Sequence, residues 1–550
     1  MKILWLDINS SYSHSSVALP AIHAQVSDRE EWEWCVVRGT INDNPGTIAA
    51  KVAEEKPDMI AATFWLFTHQ MQIEVLSRVV QMLDDVRIVC GGPEFLGDNE
   101  GFLRRHDFVS AVIRGEGEAA LPEFLTYIGD CPRWNSIEGL CWISGEDGSY
   151  HDNGTARVAD FASLKYPEES KFFNWDKPFV QLETTRGCFN TCAFCVSGGE
   201  KPVRYQSMSQ VRERLENIYA HGIKDIRVLD RTFNYDISRA SEMLDLFAQY
   251  AGKMRFHLEI HPSLISETLK EKLSVMPDGL LHLEAGIQSL DSKVLAESGR
   301  HGSLKSSLDG LEFLCSSDNI RTHADLIAGL PEYDLKMLCS DIARLVETGV
   351  DELQIESLKV LPGTHMRSIA PEKGLKYSPL PPYEILMTPH MSASELRKAM
   401  DISRMIDLYY NSPAWQKVTR ELIRNTKNFV VEFTDHQKDL MVLDSPVSVE
   451  RRGMILYDYC KAHHPEMVTD ISVAWILAGL SLKKEPAGNI RKIKHLEAFL
   501  MENGSQMSIE YGNAAPSHRY YLLTSGEKNI LFGYDSENHD PAPAFMACLL

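Results

Sequence analysis

FVQLETTRGCFNTCAFC, residues 179–195, places a short apolar run directly ahead of three closely spaced cysteines, Cys188, Cys192 and Cys195. The run has strand composition, and the glycine after it releases the chain into a loop. Working outward, the same strand signal recurs in DIRVLD, MRFHLEI, LLHLEAGIQSL, THADLIAGL and ELQIESLKVL, each but the last followed by a candidate helix. Six βα units of this kind predict a barrel or partial barrel, with the cysteines in the loop after its first strand.

Upstream, KILWLDI, EWCVVRG, DMIAATFW, VRIVCGG and SAVIRG alternate with helix-like stretches such as PGTIAAKVAEE and MQIEVLSRVVQML. That alternation predicts a parallel, Rossmann-like α/β sheet. GLCWIS and the turn GEDGSYHDNG, within about residues 130 to 175, suit a hairpin and a linker. Beyond YSPLPPYEI at 377–385 the strand rhythm stops. Amphipathic stretches such as SASELRKAMDISRMIDLYY take over, with possible strands at RYYLLT and NILFGY. The expected organisation is α/β: a sheet domain over 1–130, a hairpin and linker over 131–175, a barrel core over 176–375 and a mainly helical domain over 376–550. A chain of 550 residues suits about three domains.

Composition narrows the function classes. With 44% hydrophobic and 24% charged residues, and no apolar run near the roughly 18 residues a membrane span needs, the chain reads as a globular protein that folds in water. The net charge of -21 repels a phosphate backbone, so nucleic acid is excluded as the expected partner. RYQSMSQVRER at 204–214 is a positively biased exception that reads as a solvated helix face. The N-terminus has no secretory pattern. The odd count of eleven scattered cysteines argues against a disulfide framework, which places the chain in a reducing, cytoplasmic compartment. Eight of these cysteines are isolated and read as small buried hydrophobes.

The remaining three carry the chemistry. A 4Fe-4S cluster normally takes four thiolates, so a local set of three leaves one iron open to a chelating small molecule. Zinc would ask for a fourth ligand, and no partner cysteine or histidine pair lies nearby at zinc spacing. The CxxxCxxC spacing, with Phe194 just before the third cysteine, resembles the radical S-adenosylmethionine (SAM) superfamily over about residues 175 to 370. The resemblance implies that SAM chelates the open iron and is cleaved to a 5'-deoxyadenosyl radical, and that Phe194 lies at the SAM site. Polar residues at the barrel strand ends are candidates to bind SAM: Asp230, Arg231, Glu259, His261, Glu284, Gln288, Asp325 and Gln354. Gly329, in AGLPE, resembles the family's fifth-strand pattern, where a glycine admits the adenine.

CGGPE at 90–94 and IRGEGEAALPE at 113–123, about 23 residues apart, resemble the cobalamin-binding domain that precedes many radical SAM domains. The resemblance implies cobalamin contacts from Gly91, Gly92, Pro93 and Glu94, and from Gly115, Glu116, Gly117 and Glu118. No DxHxxG is present to supply a histidine to cobalt. His14, beside Tyr12 and Ser13 in NSSYSHSS, is the nearest candidate, while Thr63, Trp65 and His69 in TFWLFTH are placed to cover the lower face. With the C-terminal region, the pattern is similar to a cobalamin-type subgroup that ends in a domain of unknown function.

The expected activity is methyl transfer to an unreactive carbon of a small metabolite or natural product, using a 4Fe-4S cluster, SAM, cobalamin and a reductant such as flavodoxin or ferredoxin. A rearranging or cyclising enzyme with the same cofactors stays open. So does a non-catalytic cobalamin sensor or electron-transfer protein.

Overall fold

The first strand shows how the sheet is assembled. The computed structural model describes residues 1–503, 507–515, 518–525, 528–535 and 540–549. In β1, Lys2–Asn9, six successive residues are buried. Leu4, Leu6 and Ile8 join one apolar cluster while Ile3 and Trp5 join another, as expected of a parallel strand covered on both faces. β1 lies between β2, Glu33–Thr40, and β3, Met59–Thr63, and β4, Arg87–Gly91, and β5, Ala111–Ile113, follow in parallel. The order β2-β1-β3-β4-β5 is doubly wound, so a crevice opens at the C-terminal ends of β1 and β3.

The stretch expected to be a hairpin and linker extends this sheet. β6, Leu140–Ile143, pairs antiparallel with β5, and β7, Tyr150–Asp152, pairs with β6. Ala156 then bonds to Arg114 and Glu116 through its own backbone. The sheet thus runs past residue 130, because the edge of the three-residue β5 needs backbone partners.

The second sheet begins with β8, Val180–Leu182. A short antiparallel pair, β9, Thr185–Arg186, and β10, Arg204–Tyr205, brackets the cysteine loop. β11, Asp225–Val228, β12, Arg255–Ile260, β13, Leu281–Gln288, β14, Ile320–Ala328, and β15, Glu352–Ser357, complete a six-stranded sheet in the order β8-β11-β12-β13-β14-β15. β8 and β15 are its two ends, so it is a partial barrel. Ser207, Asp236, Ser266 and Asp291 cap its crossover helices by accepting backbone N–H bonds.

The chain divides into two units: Met1–Leu338 with Glu356–Leu396, and Cys339–Ile355 with Arg397–Leu550. The second unit contains helices Gln416–Asn425, Phe429–Asp439, Val449–His463 and Val468–Leu477. Trp415 and Trp475 are fully buried there, and a Cβ on Gly453 would come within 2.4 Å of Trp415. Beyond the helices lies a five-stranded antiparallel sheet, and RYYLLT and NILFGY fall in two of its strands, His518–Ser525 and Lys528–Asp535. Among the described residues, no helix is long and apolar enough to cross a membrane.

Candidate active site

The loop from Cys188 to Cys195 is shaped by its backbone. Cys188 N donates to Glu200 O at 3.0 Å and Cys195 N to Cys192 O at 3.1 Å. Gly187 has φ +97°, and a Cβ there would meet Glu200 O at 2.5 Å. Cys192 is buried, and Cys188 and Cys195 are partly exposed. The three thiols are near enough to influence one another's charge. Burial pushes the Cys192 and Cys195 thiols up, while Arg300 draws Cys192 back. Phe194 is half-buried on the same loop. Phe189 stacks on Tyr235 with ring centres 4.9 Å apart.

A second loop is clamped along the first. Ala193 N donates to Ser298 O at 2.8 Å. Thr191 Oγ1 donates to Gly299 O at 3.1 Å, and Asn190 exchanges two bonds with the backbone of His301. This brings Arg300 Nη1 to 3.6 Å from Cys192 Sγ, with Nη2 donating to Gly286 O. Sequence reasoning missed Arg300, because nothing in GRHG ties it to a cysteine more than a hundred positions away.

The strand-end candidates separate by their partners. Asp230 is 2% exposed, and its carboxylate accepts from the backbone N–H groups of Thr184 and Thr185, each at 2.8 Å, and from the Thr184 hydroxyl. It ties two strand ends together and has no face for SAM. His261 is likewise turned to Ser263 and to His301 O, and burial pushes it down to about 3. Glu259 differs: burial, aided by Glu284 and Asp325 and opposed by Arg231, pushes it up to about 7. Arg231 is exposed. Gln288 has φ +70°, and its Oε1 is buried without a hydrogen-bond partner among the described residues. Gly329 has φ +87°, and a Cβ there would meet the Ile385 side chain at 2.6 Å, so backbone conformation and packing both call for glycine.

Barrel interiors are usually filled by branched apolar side chains. Here His257 Nε2 lies 2.7 Å from Glu284 Oε2, Glu284 shares a hydrogen bond with Asp325, and His323 Nε2 lies 3.1 Å from Asp325 Oδ1. Burial pushes Asp325 up to about 6. Burial also opposes the charge on Glu284, yet the His257 bond holds its carboxyl below the usual value.

A cavity of about 300 Å³ opens at the C-terminal ends of β1, β3, β4 and β5. Thr63, Trp65, Gly91, Gly92, Pro93 and the Gly115–Glu118 turn line it, and barrel residues Arg186, Ser197 and Arg231 face it. Ala21, Ala61 and Ala62 keep its floor open, and the Trp5 indole N–H in its wall is buried without a hydrogen-bond partner among the described residues. These features fit a bulky ligand carrying peripheral acceptors. Other candidates lie elsewhere. Tyr12 and His14 line a separate cavity of about 320 Å³, and Ser13 is not in the wall of the first. Glu94 and His69 are turned to each other at 2.9 Å, outside the lining. Gly92 and Gly115 serve the backbone: a Cβ would meet Phe64 O at 2.6 Å in the first and Ala156 O at 2.3 Å in the second.

Glu116 and Glu118 join the two sheets electrostatically. Arg204 grips Glu116 with bonds of 2.6 and 2.9 Å, and Arg186 Nη2 donates to Glu118 at 2.6 Å and to Glu183 at 2.9 Å. The side chains of Arg186 and Arg204 are 14% and 8% exposed, so this network is desolvated and held by geometry.

The chain matches the radical SAM superfamily over residues 182–345, the B12 binding domain over 6–125 and a protein of unknown function, DUF4080, over 372–473. It is 24% identical over 377 residues to the cobalamin-dependent radical SAM methyltransferase TokK of Streptomyces tokunonensis, covering 64% of this chain and 54% of that protein. The chain thus spans about half the length of the first curated relatives it matches. Its fold is that of the radical S-adenosylmethionine methyltransferase TsrM from Kitasatospora setae, solved with cobalamin and a 4Fe-4S cluster. The TM-score is 0.56 at 16% identity, over 72% of this chain and 81% of that one. The cobalamin-dependent S-adenosylmethionine radical enzyme OxsB is similar at a TM-score of 0.61 and 14% identity, over 86% and 78% of the two chains.

Proposed function

Because the chain carries a radical SAM domain behind a B12-binding domain, we propose that it is a cobalamin-dependent radical SAM methyltransferase acting on an unactivated carbon of a small molecule. One observation carries this reading. A single cavity is walled both by the Gly91–Pro93 and Gly115–Glu118 loops of the first sheet and by Ser197 and Arg231, which flank the cysteine loop and β11.

Cys188, Cys192 and Cys195 would hold the cluster, and the cavity at the C-terminal ends of β1, β3, β4 and β5 would house the corrin. When bound, these groups supply a 5'-deoxyadenosyl radical from SAM and a transferable methyl group. The chain's own residues orient and shield. Arg231 and Glu259 offer opposite charges to SAM's carboxylate and amino groups, with Glu284, Gln288 and Asp325 behind them. Asp230 and Gly329, engaged in the scaffold, are left out. Thr63 and Trp65 face the corrin, and among the described residues no histidine lines the cavity.

Residues 1–130, with the hairpin β6–β7 added to their sheet, supply the cobalamin domain, and 176–375 the radical core. A flavodoxin or ferredoxin supplies electrons in a reducing cytoplasm, consistent with the free thiols.

The test is anaerobic reconstitution with iron, sulfide and hydroxocobalamin, followed by product analysis under reduction. Formation of both 5'-deoxyadenosine and S-adenosylhomocysteine supports methyl transfer, and deoxyadenosine alone points to rearrangement. A chain that takes up no iron, or whose Cys192→Ala variant keeps the cluster, sinks the reading.

A further inference from the structure

The three cysteine sulfurs have unequal surroundings. Cys192 Sγ has the Arg300 guanidinium at 3.6 Å. Among the described residues, Cys188 Sγ has only the Thr232 hydroxyl at 3.7 Å, and that hydroxyl already donates its single proton to Arg231 O at 2.7 Å. Cys195 has a backbone N–H, that of Ser197, and feels the Arg231 charge without a hydrogen bond from it. Charge-assisted hydrogen bonds are about twice as strong as neutral ones, so Cys192 receives the strongest donor of the three.

Arg300 is also held in place. Its backbone N donates to Leu295 O at 3.0 Å, and its second Nη is anchored on Gly286 O at the end of β13. The segment from Ser298 to His301 is laced to Asn190, Thr191 and Ala193 of the cysteine loop. The cation is therefore fixed relative to the sulfur, and little reorganisation is needed when the charge there changes.

We propose that Arg300 is the positioning residue that sets the reduction potential of the cluster, acting through Cys192. The inference rests on the cluster reading above. Reduction adds one electron from a low-potential donor to the iron–sulfur unit, and part of the added charge is carried by the ligand sulfurs. A guanidinium donating to one of them stabilises the reduced form more than the oxidised form and raises the midpoint, through hydrogen bonding to sulfur and local charge. The fork matters: one nitrogen is tethered to Gly286 O while the other addresses the sulfur, an arrangement a lysine ammonium cannot reproduce.

The experiment is a dithionite redox titration followed by EPR on the reconstituted full chain without SAM, comparing the parent with Arg300→Gln and Arg300→Lys. Iron content and visible absorbance are recorded first. Arg300→Gln is expected to bind parent-like iron and to need a lower potential for reduction, with about a tenfold smaller reduced-to-oxidised ratio at fixed potential, equivalent to 59 mV for one electron. Arg300→Lys is expected to fall between the two. A parent-like midpoint in Arg300→Gln at full iron content overturns the proposal. Should Arg300→Gln fail to hold iron, Arg300→Lys decides, and a midpoint equal to the parent's overturns it. A parent chain that binds no iron instead refutes the cluster reading itself.

Discussion

The hydroxyl of Tyr383 donates to the carboxylate of Glu94 at 3.0 Å, across 289 positions of the chain. Glu94 Oε2 also takes His69 Nδ1 at 2.9 Å, and its side chain is 3% exposed. The last residue of CGGPE therefore fastens the first sheet to the segment after the barrel. Tyr383→Phe removes one of two partners from a buried carboxylate and is expected to cost about 1 to 3 kcal/mol in urea unfolding. Its iron uptake should match the parent's. An unchanged unfolding midpoint would mean that the bond contributes nothing.

Arg204 and Glu116 give a second prediction. Arg204→Met leaves the half-buried Glu116 with Val158 N and with Arg186 Nη1 at 3.4 Å but without its two-pronged partner, which is expected to cost about 1 to 3 kcal/mol. Arg204→Met combined with Glu116→Met should recover part of this, because the carboxylate that lost its bidentate partner is then gone. A double-mutant cycle checks the claim, and additive single effects would refute it.

Glycines 91 and 92 are neighbours with different duties. Gly92 combines φ +107° with a Cβ position 2.6 Å from Phe64 O, whereas a Cβ on Gly91 would find nothing nearer than 3.6 Å. Gly92→Ala should lose about 1 to 3 kcal/mol. Gly91→Ala should keep parent-like stability and instead weaken hydroxocobalamin binding, since Gly91 lines the cavity. Equal stability of the two variants in thermal unfolding would contradict this division.

The cysteine loop was legible because its three thiols lie within eight residues of chain, so spacing alone carries the chemistry. The strands were legible through their apolar runs, and the barrel order follows from repeated βα units. Direction was harder to read. Asp230 has the expected position, but its carboxylate turns to Thr184 and Thr185 because a buried acid goes where N–H groups are free. Glu116 and Glu118 occur in the expected turn, yet their partners come from Arg204 and Arg186, 88 and 68 positions away. The glycines of CGGPE and GEGE were read as room for a ligand. Gly92 and Gly115 line the cavity and also make room for the carbonyls of Phe64 and Ala156, which only the folded backbone brings near.

The barrel interior gives a pH prediction. The His282 ring lies 4.5 Å from that of His257 and 5.9 Å from that of His323, and its Nε2 is buried without a hydrogen-bond partner among the described residues. Burial, reinforced by the neighbouring imidazoles, pushes His282 from the usual 6.5 down to about 3. Between those values the unfolded chain binds a proton that the folded chain refuses. Stability is therefore fully present above pH 6.5 and is lost as the pH falls toward 3. His261, also reaching about 3, and His23, pushed by burial down to about 4, add losses of the same sign, so the parent's slope alone does not isolate His282. His282→Asn removes one titrating group and leaves the others. Its urea midpoint should start lower at pH 7, from lost packing, and then fall less steeply than the parent's between pH 6.5 and 4.5. Parallel curves would mean that His282 takes up its proton without opening the barrel, and that the interior is more hydrated than its burial implies.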